Sequence, residues 1–160
     1  MSQKIINVCI GEVKIAKKGE ILKAILGSCV GIAFIWKKNK ICGLAHCLLA
    51  NSPKKSYKIN GRFVDQAIPS LIALMKIKLE DFDDIEIIVA GGGNMTRPNE
   101  KNRNILVGFQ NFSAVLAECK KRGLKPNQLY KGENEGRKII IDSLSCSYSI
   151  ENIPRLLQAG

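Results

Sequence analysis

The chain begins with short β-prone segments separated by turn residues. Residues 5–15 and 21–24 are rich in isoleucine, valine and leucine, and each has the composition of a strand. Gly11 interrupts the first segment, and the polar stretch 17–20 separates the two. The pattern predicts two strands joined by a turn.

Two longer apolar runs follow, with four polar residues between them. Residues 30–36 and 41–49 are almost entirely apolar, and the polar residues 37–40 separate them. Runs of this length bounded by turn residues are typical of buried strands. We therefore predict a β-hairpin with both strands largely buried.

Helical spacing is found farther along the chain. In residues 62–79 apolar side chains recur three or four positions apart, and Pro69 lies inside this segment. We predict a helix here that kinks or restarts at the proline. Residues 112–122 predict a second helix, which ends at Gly123 because glycine is the usual residue after a helix C-terminus.

Further strands alternate with these helices. Residues 85–90 form a strand pattern that ends at glycines 91–93. Residues 138–141 and a segment around Leu129 predict two more strands on either side of a turn at 132–136. This mixture of strands, hairpins and helices predicts an α/β or α+β layered domain.

Size, charge and cysteine content narrow the functional classes. The chain has the length of one domain, which we predict to span residues 1–160 with a tail of uncertain structure from residue 143. No secretory signal or membrane-spanning run is evident, so we expect a cytoplasmic protein, not inserted in a membrane, with six reduced cysteines. The net charge of +11 favours an acidic partner, but the scattered lysines lack the motifs of nucleic-acid-binding proteins.

His46 is the single histidine of the chain, so imidazole chemistry near neutral pH would depend on it. If residues 38–39 form a two-residue turn, His46 lies opposite Gly31, and Cys29 lies on the same face along the diagonal. Gly31 would then leave room for the imidazole and a substrate. A three-residue loop would instead place Cys29 and His46 on opposite faces of the sheet.

A cysteine beside a histidine can act as a nucleophile, because an imidazolium stabilises the thiolate and lowers the pKa of the thiol. Gly27 and Ser28 directly precede Cys29, and their backbone N–H groups are candidates to stabilise an oxyanion. The alternative is that Cys29 is a small buried apolar residue and His46 a hydrogen-bonded core histidine.

Other residue groups suggest weaker alternatives. Cys42, His46 and Cys47 could suggest zinc, but Cys47 should point away from the other two and a structural zinc site needs four ligands, so we predict no metal or cofactor. Glycines 91–93 match no phosphate-binding motif and predict a tight turn near the site. Two charged side chains complete the candidates: Asp65 as a brace or cap of the helix, and Arg137 as a solvated residue or an anchor for an acidic partner.

Several motifs, taken together and in order, resemble one known family. Leu26-Gly27-Ser28-Cys29-Val30 precedes Gly43-Leu44-Ala45-His46, and further motifs follow at residues 62–68, 90–95, 107–111 and 132–137. They are similar to the motifs of the chemoreceptor glutamine deamidase family, CheD, over about residues 11–142. The last motif has Glu133 in place of the second glycine of the family.

The resemblance implies a CheD-like fold, a layered β-sheet domain with helices packed on one side. It also implies an enzyme that converts glutamine side chains of methyl-accepting chemotaxis receptors to glutamate, releasing ammonia through a thioester on cysteine and using no cofactor. Cys29 would be the nucleophile and His46 the general base and acid. The implied partners are the cytoplasmic domain of the receptor and a CheC-type phosphatase.

Lys23 departs from the family pattern, because the third catalytic residue of the family is a threonine six residues before the cysteine. A lysine side chain cannot accept a hydrogen bond from the imidazole. A backbone carbonyl near Lys23 or Ala24 could take over this role. Otherwise the chain is a catalytically impaired adaptor that binds receptors or a CheC-type phosphatase. A Cys–His peptidase or other amidase would share the chemistry and differ in its substrate.

Overall fold

The computed structural model describes residues 3–155, which form nine strands and two α-helices. The central strands are almost entirely apolar, as is typical of strands that are covered on both faces. In chain order the elements are β1 Ile5–Asn7, β2 Val13–Lys17, β3 Ile21–Leu26, β4 Val30–Trp36, β5 Ile41–Cys47, α1 Val64–Met75, β6 Glu86–Gly91, α2 Val107–Arg122, β7 Gln128–Lys131, β8 Gly136–Asp142 and β9 Ser147–Ile153.

The strands form two sheets that are stacked in layers with the helices. A five-stranded sheet has the order β2-β5-β4-β6-β7, and a four-stranded sheet has the order β1-β3-β8-β9. One apolar core lies between the five-stranded sheet and the two helices, and the other lies between the two sheets. The predicted layered α+β fold with helices on one side is confirmed, and a second sheet covers the other side.

The hairpin has the register that the sequence predicts. Val30 pairs with Cys47, Gly31 with His46, and Trp36 with Ile41. The connection is a four-residue turn at 37–40 with a single 3-10 turn, instead of a two-residue turn. Two and four residues preserve the same side-chain parity, so the predicted faces of the strands are correct.

The prediction of one strand across residues 5–15 is wrong. This segment is divided into β1 and β2, which belong to different sheets. Gly11 has a φ of +86° between them, a conformation that glycine adopts without strain. The break carries the chain from the four-stranded to the five-stranded sheet and brings it past the end of β5.

The helices differ from their predicted limits. The first helix ends at Met75 because Lys76 adopts a left-handed conformation, and it is one helix through Pro69 without restarting there. The second helix starts at Val107, five residues before the predicted start. Its first turn was missed because Gly108, Gln110 and Asn111 interrupt the apolar spacing from which the helix was predicted. It ends at Gly123, with a φ of +76°, as predicted.

The C-terminal tail contains the last strand of the four-stranded sheet. β9 pairs along its whole length with β8, so residues 147–153 have a defined structure that their sequence left ambiguous. Residues 156–160 of the predicted tail lie outside the described residues. Within residues 3–155, neither helix has the length and apolar composition needed to cross a lipid bilayer.

Candidate active site

The ladder between β4 and β5 brings Cys29 and His46 to one face of the five-stranded sheet. His46 lies opposite Gly31, and Cys29 precedes the first residue of β4. Cys29 and Cys42 belong to the core between the two sheets, whereas Cys47 belongs to the core beneath the helices. The predicted division of these cysteines between two faces is confirmed.

The imidazole of His46 is buried and oriented by a backbone carbonyl. Its Nδ1 lies 2.9 Å from the carbonyl oxygen of Val8, and the residue is 5% exposed. A carbonyl oxygen only accepts hydrogen bonds, so Nδ1 carries the proton and Nε2 of the neutral ring has the free lone pair. This is the arrangement that a general base requires.

The Val8 carbonyl occupies the role for which the sequence suggested a carbonyl near Lys23 or Ala24. Val8 follows β1, and its N–H donates to the carbonyl of Lys23 at 2.8 Å. The orienting carbonyl therefore belongs to the segment after β1, which lies beside Lys23 of β3 in the four-stranded sheet. The sequence could not identify it, because residue 8 becomes a neighbour of residue 46 only through the packing of two sheets.

The backbone of His46 is held as firmly as its ring. Gly11 donates its N–H to the carbonyl of His46 at 2.8 Å, and the N–H of His46 donates to the carbonyl of Glu12 at 3.0 Å. The connection between β1 and β2 thus fixes both the position of the histidine and, through Val8, the orientation of its imidazole.

An open cavity of about 480 Å³ lies at the edge of His46. Lys23 lines this cavity together with residues 7–10, 24 and 25. The cavity contains two exposed isoleucines, Ile10 and Ile25, which are 56% and 60% exposed. The histidine therefore borders a solvent-accessible surface with apolar and cationic side chains.

Cys29 lies at the end of a turn whose three successive carbonyl groups are all anchored. The carbonyls of Gly27 and Cys29 accept hydrogen bonds from the N–H groups of Gly93 and Gly92, each at 2.9 Å. The carbonyl of Ser28 accepts a hydrogen bond from the Asn111 side chain at 3.1 Å. The predicted tight turn at glycines 91–93 is therefore part of the support for the Cys29 turn.

Gly91 shows why this support requires glycine. A Cβ atom at residue 91 would lie 2.4 Å from the carbonyl oxygen of Cys29, and the residue has a φ of +101°. Any larger side chain would push the Cys29 turn away from the sheet.

Within the described part of the chain, the side chains of Cys29 and His46 are not joined by a hydrogen bond; the partner of the imidazole is the Val8 carbonyl. The space over Gly31, which was predicted to be open, is occupied by the side chain of Leu26. A Cβ atom at Gly31 would be 2.8 Å from Cδ1 of Leu26. Cys29 itself is 7% exposed.

Burial keeps both groups neutral in the resting site. Desolvation raises the pKa of the Cys29 thiol, although a hydrogen bond from its own backbone N–H opposes this shift. Desolvation lowers the pKa of His46, and the Val8 hydrogen bond and the charge of Glu12 act in the opposite direction. The expectation of a thiol pKa lowered by imidazolium is therefore wrong for the resting site.

Asn111 is a buried polar residue that sequence reasoning assigned no role. Its Nδ2 donates to the carbonyls of Ser28 and Leu48, at 3.1 and 2.8 Å. The signal in the sequence was a polar residue on the helix face that carries the buried Phe112 and Val115. It was missed because the helix was predicted to start at residue 112.

The remaining candidates have structural partners. The carboxylate of Asp65 accepts hydrogen bonds from the N–H and hydroxyl of Ser52, as expected of a brace. Arg137 is not a solvated residue, since its guanidinium donates to the carbonyl of Lys131 and its side chain is 14% exposed. Residues 3–155 contain no group of three or more potential metal ligands.

Comparisons with known proteins identify the family of the chain. A family sequence model described as "CheD chemotactic sensory transduction" matches residues 48–152. A relative from Ruegeria sp. strain TM1040, named "Probable chemoreceptor glutamine deamidase CheD 2", is 38% identical over 94% of this chain and 93% of its own length. The chain belongs to the CheD family.

Two further CheD proteins have similar coverage. The relative from Bdellovibrio bacteriovorus is 36% identical over 93% of this chain and 95% of its own length, and that from Thermococcus kodakarensis is 34% identical over 86% of each. Both are named "Probable chemoreceptor glutamine deamidase CheD". Family membership thus extends over most of the chain, as the sequence motifs predict.

Proposed function

We propose that this protein is a chemoreceptor glutamine deamidase that uses Cys29 as nucleophile and His46 as general base and acid. Family membership and the names of the relatives support the reaction. The observation that carries the catalytic assignment is the hydrogen bond between His46 Nδ1 and the Val8 carbonyl. It leaves Nε2 as the free base on the face that also holds Cys29.

Acylation begins when Nε2 of His46 takes the proton of the Cys29 thiol. The sulfur forms a bond to the side-chain carbonyl carbon of the glutamine, and the carbonyl oxygen becomes an oxyanion. The carbon–nitrogen bond then breaks, His46 returns the proton to the nitrogen, and ammonia leaves. The product of this half-reaction is a thioester on Cys29.

Deacylation uses the same base with water. His46 takes a proton from water, the resulting hydroxide adds to the thioester carbon, and the carbon–sulfur bond breaks. His46 then returns the proton to sulfur. Glutamine and water have become glutamate and ammonia, and Cys29 is again a neutral thiol.

The anchored turn supports an oxyanion site beside Cys29. In a planar trans peptide the N–H points away from the carbonyl, so anchoring the carbonyls of Gly27 and Ser28 also orients the N–H groups of Ser28 and Cys29. Within residues 3–155 these two N–H groups have no acceptor other than the Cys29 sulfur. We assign these two N–H groups as donors to the oxyanion. Gly27 contributes the carbonyl whose hydrogen bond to the Gly93 N–H orients the N–H of Ser28.

A catalytically impaired adaptor is the second candidate, favoured by the lack of a hydrogen bond between the thiol and the imidazole. Activity requires the Cys29 thiol to approach Nε2 when substrate binds. An adaptor would bind receptors, or a CheC-type phosphatase, without this movement. The net charge of +11 favours an acidic surface on whichever partner is bound.

Mass spectrometry of a receptor cytoplasmic fragment separates these functions. The fragment is incubated with the native protein, Cys29→Ala, His46→Gln and the control Cys119→Ala, which removes a buried thiol far from the turn. We expect glutamine to be converted to glutamate by the native protein and the control only. Binding without conversion by the native protein would favour the adaptor, and backbone cleavage would favour a peptidase.

A further inference from the structure

A single side-chain amide joins the two segments that carry the proposed catalytic residues. Asn111 is 1% exposed and lies in the first half of α2. One Nδ2 hydrogen bond goes to the carbonyl of Ser28, the residue before Cys29. The other goes to the carbonyl of Leu48, two residues after His46.

The first hydrogen bond fixes a peptide plane. The carbonyl of Ser28 and the N–H of Cys29 belong to the same peptide unit, in which they point in opposite directions. Asn111 therefore determines where the Cys29 N–H points. Gly93 has the same effect on the preceding peptide, but through a backbone N–H that substitution does not remove.

The second hydrogen bond fixes the end of the histidine strand. Leu48 directly follows β5, and its N–H donates to the carbonyl of Arg62 at 2.9 Å. With its carbonyl bound to Asn111, both polar groups of this backbone unit have partners. The end of β5 is thereby tied through one nitrogen atom to the turn that carries Cys29.

We propose that Asn111 is a positioning residue for the deamidation reaction. It holds the Cys29 N–H towards the developing oxyanion and fixes the Cys29 turn relative to the strand of His46. The inference rests on the proposed function, because an oxyanion forms only if Cys29 attacks a carbonyl. Asn111 acts through the backbone and does not touch the substrate.

The chemistry of the amide explains the residue type. Two carbonyl oxygens converge on one point, and a primary amide nitrogen supplies two N–H donors from one atom. An aspartate would offer only acceptors to these carbonyls, and an apolar side chain would leave both without partners in a buried site. Glutamine keeps the two donors on a longer chain.

Asn111→Ala is the direct test, since it leaves space in which water can bind the two carbonyls. We expect kcat for receptor deamidation to fall about 100-fold, the effect of losing one oriented oxyanion donor. KM should change by less than about threefold, because ground-state binding of the receptor is untouched. Asn111→Gln should recover part of the lost kcat.

Ser70→Ala provides the matched control. Ser70 is also buried in a helix, and its hydroxyl accepts a hydrogen bond from the N–H of Asn60 and donates to the carbonyl of Gln66. This variant should keep native kcat despite a comparable loss of buried hydrogen bonds. A kcat of Asn111→Ala equal to that of Ser70→Ala would overturn the inference.

A second measurement does not depend on turnover. Iodoacetamide labelling with peptide mapping should modify Cys29 faster in Asn111→Ala than in the native protein, while the buried Cys42 and Cys119 stay unmodified. Unchanged labelling of Cys29 would overturn the positioning role, whereas absent turnover by the native protein would overturn only the proposed function. If Asn111→Ala loses its native circular dichroism, the measurements are made on Asn111→Ser, which keeps one donor.

Discussion

At the scale of single residues, a backbone carbonyl orients the imidazole of His46. The unique histidine and its position opposite Gly31 could be predicted from composition and from hairpin parity. The acceptor of its Nδ1 proton could not, because Val8 is distant in sequence and contributes only its backbone. The acceptor was expected near Lys23 or Ala24; it is the carbonyl of Val8, whose own N–H donates to the carbonyl of Lys23 on the adjacent strand.

Substitution of Lys23 tests whether the Val8 carbonyl is sufficient. We expect Lys23→Thr and Lys23→Ala to have the same kcat, because neither changes the acceptor that orients His46. Both can alter KM, since Lys23 lines the cavity beside the histidine. Steady-state kinetics on a receptor fragment measure this difference, and a kcat for Lys23→Thr more than about tenfold above that of Lys23→Ala would refute the carbonyl role.

The buried imidazole predicts a particular pH dependence. The pKa of folded His46 lies below its ordinary value of 6.5 because burial disfavours the charged form. As the pH drops below about 6.5, the unfolded chain binds a proton that the folded chain does not, so the free energy of unfolding decreases until the folded pKa is reached. Above pH 6.5 this contribution to stability is complete.

Urea unfolding at several pH values compares the native protein with His46→Gln. The variant should lose the part of the pH dependence that lies just below 6.5. The apparent pKa of the acid limb of kcat/KM should also lie below 6.5, because His46 remains a neutral base until the pH drops below its lowered pKa. An acid limb above this value would indicate an imidazolium stabilised in the site.

At the scale of elements, periodicity located the strands, but partners across layers decided their ends. The faces of the hairpin side chains were predictable because side chains alternate with a period of two, so any turn with an even number of residues leaves them on the same faces. The division of residues 5–15 was not, since it depends on two sheets. The start of α2 was hidden because Gly108 packs against the carbonyls of Gly92 and Gly93 and carries no apolar signal.

Asp65 connects the loop at residues 50–61 to the first turn of α1. Its carboxylate accepts hydrogen bonds from Ser52, so we expect Asp65→Ala to lower the free energy of unfolding by about 1–3 kcal/mol. Turnover should be unchanged, because within residues 3–155 no hydrogen bond joins the loop to Cys29 or His46. Asp83→Ala, which removes an exposed carboxylate, is the control in the same denaturation experiment, and an equal effect of both would exclude the brace.

At the scale of the whole molecule, two sheets and a helical layer bring distant segments to one place. Residues 8, 29, 46 and 111 converge although they are far apart in sequence, and only residues 29 and 46 could be paired by local pattern. The layered class followed from the mixture of strands and helices. The order of the layers could not be predicted in this way, because it depends on which face of the central strands each element covers.

The excess positive charge predicts a salt-dependent encounter with an acidic receptor. With a net charge of +11, kcat/KM for a receptor fragment should fall by about tenfold when ionic strength rises from about 0.05 M to about 0.5 M. The rate on a short neutral glutamine peptide should change little. Equal salt dependence for both substrates would argue against electrostatic steering.

Covalent trapping tests the central claim that Cys29 attacks the glutamine side chain. A receptor fragment is prepared with its target glutamine replaced by a diazoketone analogue, incubated with the protein and analysed by peptide mapping. The predicted result is one adduct per chain, located on Cys29 and prevented by excess unmodified receptor. Loss of deamidase activity with Cys29 unmodified, or an adduct on another cysteine, would contradict the assignment.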